Sequence, residues 1–248
     1  MPEVVIITGA GRGIGAATAR AAALRDYAVC VNYVRDEHAA RSVVGRIAAA
    51  GGRAVAVRGD VAVPEDVVRL FDQAERAFGP VTALVNNAGT TGRITRFEAL
   101  DLPTLRRVID VNLIGCMLCA QEAVRRFSNV HGGKGGSIVN VSSVAATLGS
   151  PGEYVHYAAT KAAIETFTIG LAREVAGEGI RVNAVAPGTV ETEIHAAGGD
   201  PDRPARVAAR IPLGRVGGPE EIAAAIIWLL SPAASYTTGA VLKVSGGL

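Results

Sequence analysis

Residues 153–161, EYVHYAATK, put two tyrosines, a histidine and a lysine within nine positions. If the stretch is helical, Tyr157 and Lys161 stand four apart and share one face. The residues between them are small, which leaves that face open. The ammonium of Lys161 would then favour the phenolate of Tyr157 and lower its pKa from the usual value of about 10. Each unit of lowering is worth about 1.4 kcal/mol, so a phenol tuned close to neutral pH needs several effects acting together. Such a phenol can donate a proton to a carbonyl or remove one from an alcohol. Tyr154 lies two turns from Lys161 and follows the turn-forming SPGE, so it reads as a wall of a substrate pocket. His156 is rotated about 100° from Tyr157 on a helix and is expected to pack or to meet solvent.

A second constellation is TGAGRGIG at 8–15, between an apolar run and a helical one. Gly9, Gly13 and Gly15 permit tight or positive-φ geometry and close approach of backbone to a ligand. A helix opening here offers free N–H groups and a partial positive charge to a pyrophosphate. No Gly-Lys-Ser/Thr follows, so a triphosphate loop is excluded. The next strand ends VNY. An acid at that end holds a ribose 2′-hydroxyl, whereas a cation suits a 2′-phosphate. Tyr33 stands where the acid is expected, and Arg35 and Arg12 are near, so NADP(H) is favoured over NAD(H). Asp36 is close enough to reverse that preference, and NAD(H) stays possible.

These groups need elements to hold them. Short apolar runs occur at 4–8, 28–33, 53–60, 81–89, 136–143, 180–188 and 240–247. Helical stretches separate them, among them 103–128, 155–176 and 218–230. Continuous apolar strands alternating with helices predict a parallel sheet covered on both faces. The fold class is thus α/β: a single doubly wound Rossmann-type domain over 1–248 with about seven parallel strands. In such sheets ligands sit at the carboxyl ends of strands, near the point where strand order reverses. The glycine turn and the residues after the fourth, fifth and sixth runs all fall there. The polar stretch 189–217, rich in Gly and Pro, predicts a helical lid over the substrate. HGGKGGS at 131–137 precedes a strand and reads as a flexible loop.

Bulk properties narrow the classes further. With 49% hydrophobic and 19% charged residues, the chain can fill a large core. The net charge is +2 and no basic stripe is evident, which argues against nucleic acid and anionic membranes as partners. The apolar run Ile222 to Leu230 is too short to span a bilayer. No secretory leader is evident, so a cytoplasmic protein is expected. Cys116 and Cys119 form a C-x-x-C, but no second pair completes a zinc site. They read as two small residues of a buried helix, and no metal site is expected.

Taken together the chain resembles the short-chain dehydrogenase/reductase family along nearly its whole length. The likeness rests on TGAGRGIG, NNAG at 86–89, the strand-end serines of VNVSS, YAATK at 157–161 and NAVAPG at 183–188, in that order. The resemblance implies roles. Tyr157 would be the acid/base and Lys161 its partner, also reaching the nicotinamide ribose. Ser143 would hydrogen-bond the substrate carbonyl, with Tyr154 beside it. Asn112 would hold a water that links Lys161 to solvent. Asp60 and Val61 would contact adenine, while Asn86, Ala88 and Gly89 would line the cofactor beside the fourth strand. Pro187, Gly188, Val190 and Thr192 would bracket the nicotinamide and its phosphate, and Ile14 and Asn32 complete the set. Ser143 lies 14 residues before Tyr157, at the long end of the usual gap. Ser142 would face the other side of its strand.

The implied activity is interconversion of a carbonyl and a secondary alcohol. A sugar or polyol dehydrogenase of the glucose dehydrogenase type and a 3-oxoacyl-carrier-protein reductase are the two substrate readings. The carrier-protein reading asks for a basic patch, for which Arg93, Arg96, Arg203, Arg206 and Arg210 are the candidates. A non-catalytic dinucleotide sensor is the rival class, and a methyltransferase would leave Tyr157 and Lys161 idle. A homotetramer is implied, with the helices at 103–128 and 155–176 as its main interface.

Overall fold

The computed structural model of the chain describes residues 3–248. Seven strands form one parallel sheet: β1 (Val4–Ile7), β2 (Ala28–Tyr33), β3 (Arg53–Arg58), β4 (Ala83–Asn86), β5 (Gly136–Val141), β6 (Ile180–Pro187) and β7 (Val241–Val244). Their spatial order is β3-β2-β1-β4-β5-β6-β7, so the order reverses between β1 and β4. Every pairing is parallel. The ends of β1 and β4 therefore open the crevice in which such sheets bind ligands.

The helices follow in chain order: α1 (Gly13–Ala23), α2 (Glu37–Ala49), α3 (Pro64–Phe78), α4 (Leu102–Ile109), α5 (Gly115–Phe127), α6 (Ala145–Leu148), α7 (Val155–Val175), α8 (Ile194–Ala197), α9 (Arg203–Ala208) and α10 (Pro219–Leu230). Successive side chains on a strand point to opposite faces. Val5 and Ile7 of β1 accordingly join a core with α1, α2 and α10, built from Ala19, Val43, Ile47, Ile222 and Ile226. Val4 and Ile6 face α3, α5 and α7, where Leu70, Phe71, Phe127 and Ala172 fill the second core. All four residues of β1 are buried, which is why the run shows no alternation.

Three elements differ from their predicted form. The stretch 103–128 is not one regular helix. The Asp101 carboxylate caps its start by accepting from Thr104 N at 2.7 Å, and a π-helical turn, Asp110–Ile114, separates α4 from α5. The fourth strand is shorter than 81–89, ending at Asn86. HGGKGGS is not a free loop: Gly133 N donates to Ser128 O and Gly135 N to Phe127 O, which seals the end of α5. The lid stretch 189–217 does carry two short helices, α8 and α9.

Candidate active site

The glycine turn after β1 is held from β4 and β2, the neighbours of β1, and through Asn32 it is tied to the chain after β3. The Thr8 hydroxyl accepts from Asn87 N and Ala88 N, both at 3.0 Å. The Asn87 carboxamide donates back to Thr8 O and Gly9 O at 2.9 and 3.1 Å. From the other side Asn32 Oδ1 accepts from Gly9 N at 3.2 Å, and its Nδ2 donates to Gly59 O at 2.9 Å. Gly9 has φ +61, and a Cβ on Gly15 would lie 2.5 Å from Asn87 Nδ2 and 2.7 Å from Gly9 O. Glycine is therefore required at both positions. Arg12, at the start of α1, caps no backbone N–H with its side chain. The first N–H groups of α1 thus stay available to an anion.

Asn32 and Asn86, both expected to touch a cofactor, have their carboxamides engaged within the protein. Asn32 is buried and its carboxamide is used in tethering the turn. Asn86 is also buried, donating to Asn140 Oδ1 at 3.0 Å and Cys116 O at 3.2 Å. It is the next residue, Asn87, that holds the turn. At the end of β2, Tyr33 is half-buried and Arg35 exposed, and Arg12 is exposed across the turn. The Asp36 carboxylate faces its own helix, accepting from Ala39 N at 2.9 Å as the N-cap of α2. Asp60 pairs with Arg107 at 3.0 Å and accepts from Ala62 N, while Val61 is buried.

At the centre of the sheet edge, α7 presents Tyr157 and Lys161, both buried. Lys161 Nζ donates to Val141 O at 2.6 Å and lies 5.5 Å from the centroid of the Tyr157 ring. Among the protein's own groups, burial dominates at this phenol. Burial pushes the Tyr157 phenol up, and the groups that ease it back are Ser143, by hydrogen bond, and Arg203, by charge. Lys161 is itself pushed down to about 8 by burial. The Lys161 ammonium thus binds a main-chain carbonyl while its charge stays near the Tyr157 ring.

Ser143 stands beside Tyr157 and also accepts from Ala145 N at 3.1 Å. Ser142 points the other way, donating to Lys161 O and Glu165, so the alternation along the strand end selects Ser143. A Cβ on Gly89 would lie 3.4 Å from Asn112 Oδ1 and 3.7 Å from Lys161 Nζ, so these three meet. The Asn112 carboxamide is engaged by protein groups: Oδ1 accepts from Thr90 N, and Nδ2 donates to Thr90 O and Thr160 Oγ1. It anchors the chain after β4 to α7 from within the π turn.

Pro187 ends β6, and Gly188 N continues the ladder to Val244 O at 3.0 Å. Val190 is buried. Thr192 lies over the glycine turn, its Cγ2 3.2 Å from where a Gly13 Cβ would stand. Ile14 and Ala88 flank the same turn, both half-buried. A cleft of about 1180 Å³ runs along Gly11–Gly13, the start of α2, Thr192 and α9. Tyr157 and Lys161 do not line it. The cleft is the outer approach to the glycine turn, and the tyrosine lies further in, under the lid.

Thr8, Asn87, Thr90 and Arg203 belong to the site's framework with no local sequence signal to mark them, and His156 packs, as its rotation on the helix implies. His156 is buried, its Nε2 2.9 Å from Thr91 O. Cys116 and Cys119 are free and buried, and burial raises both thiols, Cys116 to about 12, so neither is an accessible redox group.

A family model described as Enoyl-(Acyl carrier protein) reductase matches residues 9–248. The chain belongs to the short-chain dehydrogenase/reductase family. It is 49% identical to the oxidoreductase YgfF of Escherichia coli (strain K12), over 98% of this chain and 99% of that one. The L-rhamnose 1-dehydrogenase (NAD(P)(+)) of Sphingomonas sp. (strain SKA58) is 42% identical over 99% of this chain and 96% of its own. The 3-oxoacyl-[acyl-carrier-protein] reductase of Synechocystis sp. is 40% identical with the same coverages. Among solved structures, a short-chain dehydrogenase from Burkholderia cenocepacia in complex with NADP superposes with a TM-score of 0.90 at 31% identity, covering 99% of this chain and 97% of that one. The chain is thus an oxidoreductase of this family.

Proposed function

We propose that the protein is an NADP(H)-dependent oxidoreductase that interconverts a small-molecule carbonyl and a secondary alcohol, with Tyr157 as acid/base. The observation that carries this reading is the convergence of Tyr157, Ser143, Lys161 and Gly89 at the strand edge beside the glycine turn. The turn fits a dinucleotide: its glycines leave room that a Cβ would fill, and the start of α1 is open to an anion. The cofactor, when bound, supplies or accepts the hydride. Tyr157 delivers a proton to the carbonyl oxygen in reduction and takes it back in oxidation. Ser143 donates a hydrogen bond to the same oxygen and steadies the charge that develops there. Lys161, buried and held by Val141 O, keeps a cation beside the phenol.

NADP(H) is preferred on the same grounds. Arg35, just after β2, and Arg12, in the glycine turn, are exposed, and neither is ion-paired among the described residues. Asp36 is committed to capping α2. The substrate reading leans to a small polar molecule over a carrier protein. Of the candidate patch, Arg96 pairs with Glu98, Arg203 with Glu153 and Arg206 with Asp200. These acids cancel the field that an acidic carrier would follow. We place the enzyme in the cytoplasm, where its three buried free thiols persist, and infer a homotetramer. Fluorescence titration with NADPH and NADH, followed by turnover against a panel of carbonyls and alcohols, tests the reading. Tighter NADPH binding with turnover supports it. Tighter NADH binding sinks the cofactor assignment, and binding without any turnover favours a sensor.

A further inference from the structure

The lid is fastened to the catalytic tyrosine by a chain of contacts that starts at Arg203, the first residue of α9. Its guanidinium donates twice to Glu153 Oε2, from Nε at 3.1 Å and from Nη2 at 2.8 Å. The same group lies over the Tyr154 ring, Cζ 5.2 Å from the centroid. Tyr154 in turn meets Tyr157 edge-on, with centroids 5.3 Å apart at 86°. The Arg203 side chain is only 12% exposed, so this ion pair is poorly screened by water. The backbone supports the same junction: Thr95 N donates to Glu153 O at 2.9 Å and Ile94 N to Gly198 O at 3.0 Å. The loop after β4, the turn before α7 and the lid therefore meet at Glu153. Arg206 forks onto Asp200 at 2.7 and 2.6 Å, but that partner lies inside the lid and the side chain is half exposed, so it ties the lid to nothing beyond itself.

We propose that Arg203 is a positioning residue that latches the closed lid to Glu153 and, through the Tyr154 ring, holds the Tyr157 phenol in place for proton transfer. This rests on the acid/base role given to Tyr157 above. Planar guanidinium is suited to both halves of the contact, since it forks onto a carboxylate and stacks on an aromatic face. Tyr154 is then the lever of the latch as well as a pocket wall. Arg203 also eases the buried phenol toward ionisation.

The test uses the full chain and four variants: Arg203→Met, Arg203→Lys, Glu153→Gln and the control Arg206→Met. Fluorotyrosine-labelled protein is followed by fluorine NMR, with the Tyr157 signal assigned by its loss in Tyr157→Phe. Amide exchange of residues 194–208 is measured in parallel. With the latch, Arg203→Met shifts or broadens the Tyr157 signal, speeds exchange in the lid by roughly tenfold or more, and lowers kcat by roughly tenfold to a hundredfold, as small misplacements beside reacting atoms do. NADPH affinity stays within about twofold, because the Arg203 side chain is turned to Glu153 and Tyr154 and does not line the cleft beside the glycine turn. Glu153→Gln moves all three readouts in the same direction, and Arg203→Lys restores them in part. Arg206→Met, which breaks a pair internal to the lid, leaves the Tyr157 signal and kcat at wild-type values and speeds lid exchange less than Arg203→Met. A Tyr157 signal unchanged in Arg203→Met, or lid exchange no faster than in Arg206→Met, overturns the proposal. Faster exchange with an unmoved Tyr157 signal also overturns it, since the lid would then be loose without consequence for the tyrosine. A wild type that turns over no carbonyl ends the catalytic reading, while the fluorine signal and exchange still decide the latch.

Discussion

Lys161 shows how a single buried charge serves the site at a cost to the fold. Burial takes its pKa from the ordinary 10.5 down to about 8. Below about pH 8 both the folded and unfolded chains hold the proton, and the folded chain carries the full cost of a desolvated ammonium. Between about 8 and 10.5 the unfolded chain binds the proton more tightly, so stability rises with pH across that window. The wild type should therefore gain on Lys161→Met by about 3 kcal/mol between pH 7 and pH 10.5, read from urea unfolding of both proteins. Using the difference removes the raised groups that do not interact with Lys161, and Cys116→Ala in both proteins removes the thiol that does. A gap that stays constant with pH would mean that Lys161 is not desolvated as described. At this scale the sequence was legible where partners are local. Spacing along one helix picked Tyr157 over Tyr154, and alternation picked Ser143 over Ser142. It was not legible where partners come from another strand. Asn86 and Asn87 look alike in the sequence, and only Asn140 on β5 and Gly9 on the first turn tell them apart. The fate of the Lys161 charge was hidden for the same reason, because Val141 O comes from β5.

The elements that position these groups are read with uneven success, and the reason is again how far their causes lie along the chain. Seven apolar runs gave seven strands, since a strand buried on both faces declares itself in four to eight residues. The π turn at Asp110–Ile114 did not declare itself. It lies within a helical pattern, and its anchor is the contact of Asn112 with Thr90 and Thr160. The glycine turn is the element with the tightest tolerance. In Gly15→Ala the new methyl would collide with Asn87 Nδ2 and Gly9 O. Overpacking of this kind costs about 1–3 kcal/mol. Gly15→Ala should lower the melting temperature and weaken NADPH binding together, because the same turn does both jobs. Calorimetry and titration at wild-type values would show that the turn has slack the structure does not contain.

At the scale of the whole molecule, the sheet order puts β1 and β4 side by side, and the two halves of the site are the two sides of that boundary. Among the described residues no helix is long and apolar enough to cross a membrane. Ile114 and Ile169, on the faces of the π turn and α7, are 41% and 37% exposed, and Trp228 and Tyr236 present a second apolar region. The homotetramer proposed above would bury these faces, so sedimentation at micromolar protein should give a tetramer mass, and a monomer mass would refute it. The account as a whole depends most on Tyr157. The direct measurement is oxidation of NADPH against the carbonyl panel by wild type, Tyr157→Phe and Tyr154→Phe. Loss of the acid should lower turnover of the best substrate by roughly a hundredfold to ten-thousandfold in Tyr157→Phe, with NADPH binding retained and Tyr154→Phe less affected. Tyr157→Phe turning over at the wild-type rate would contradict the assignment of the proton to Tyr157, and with it the central claim.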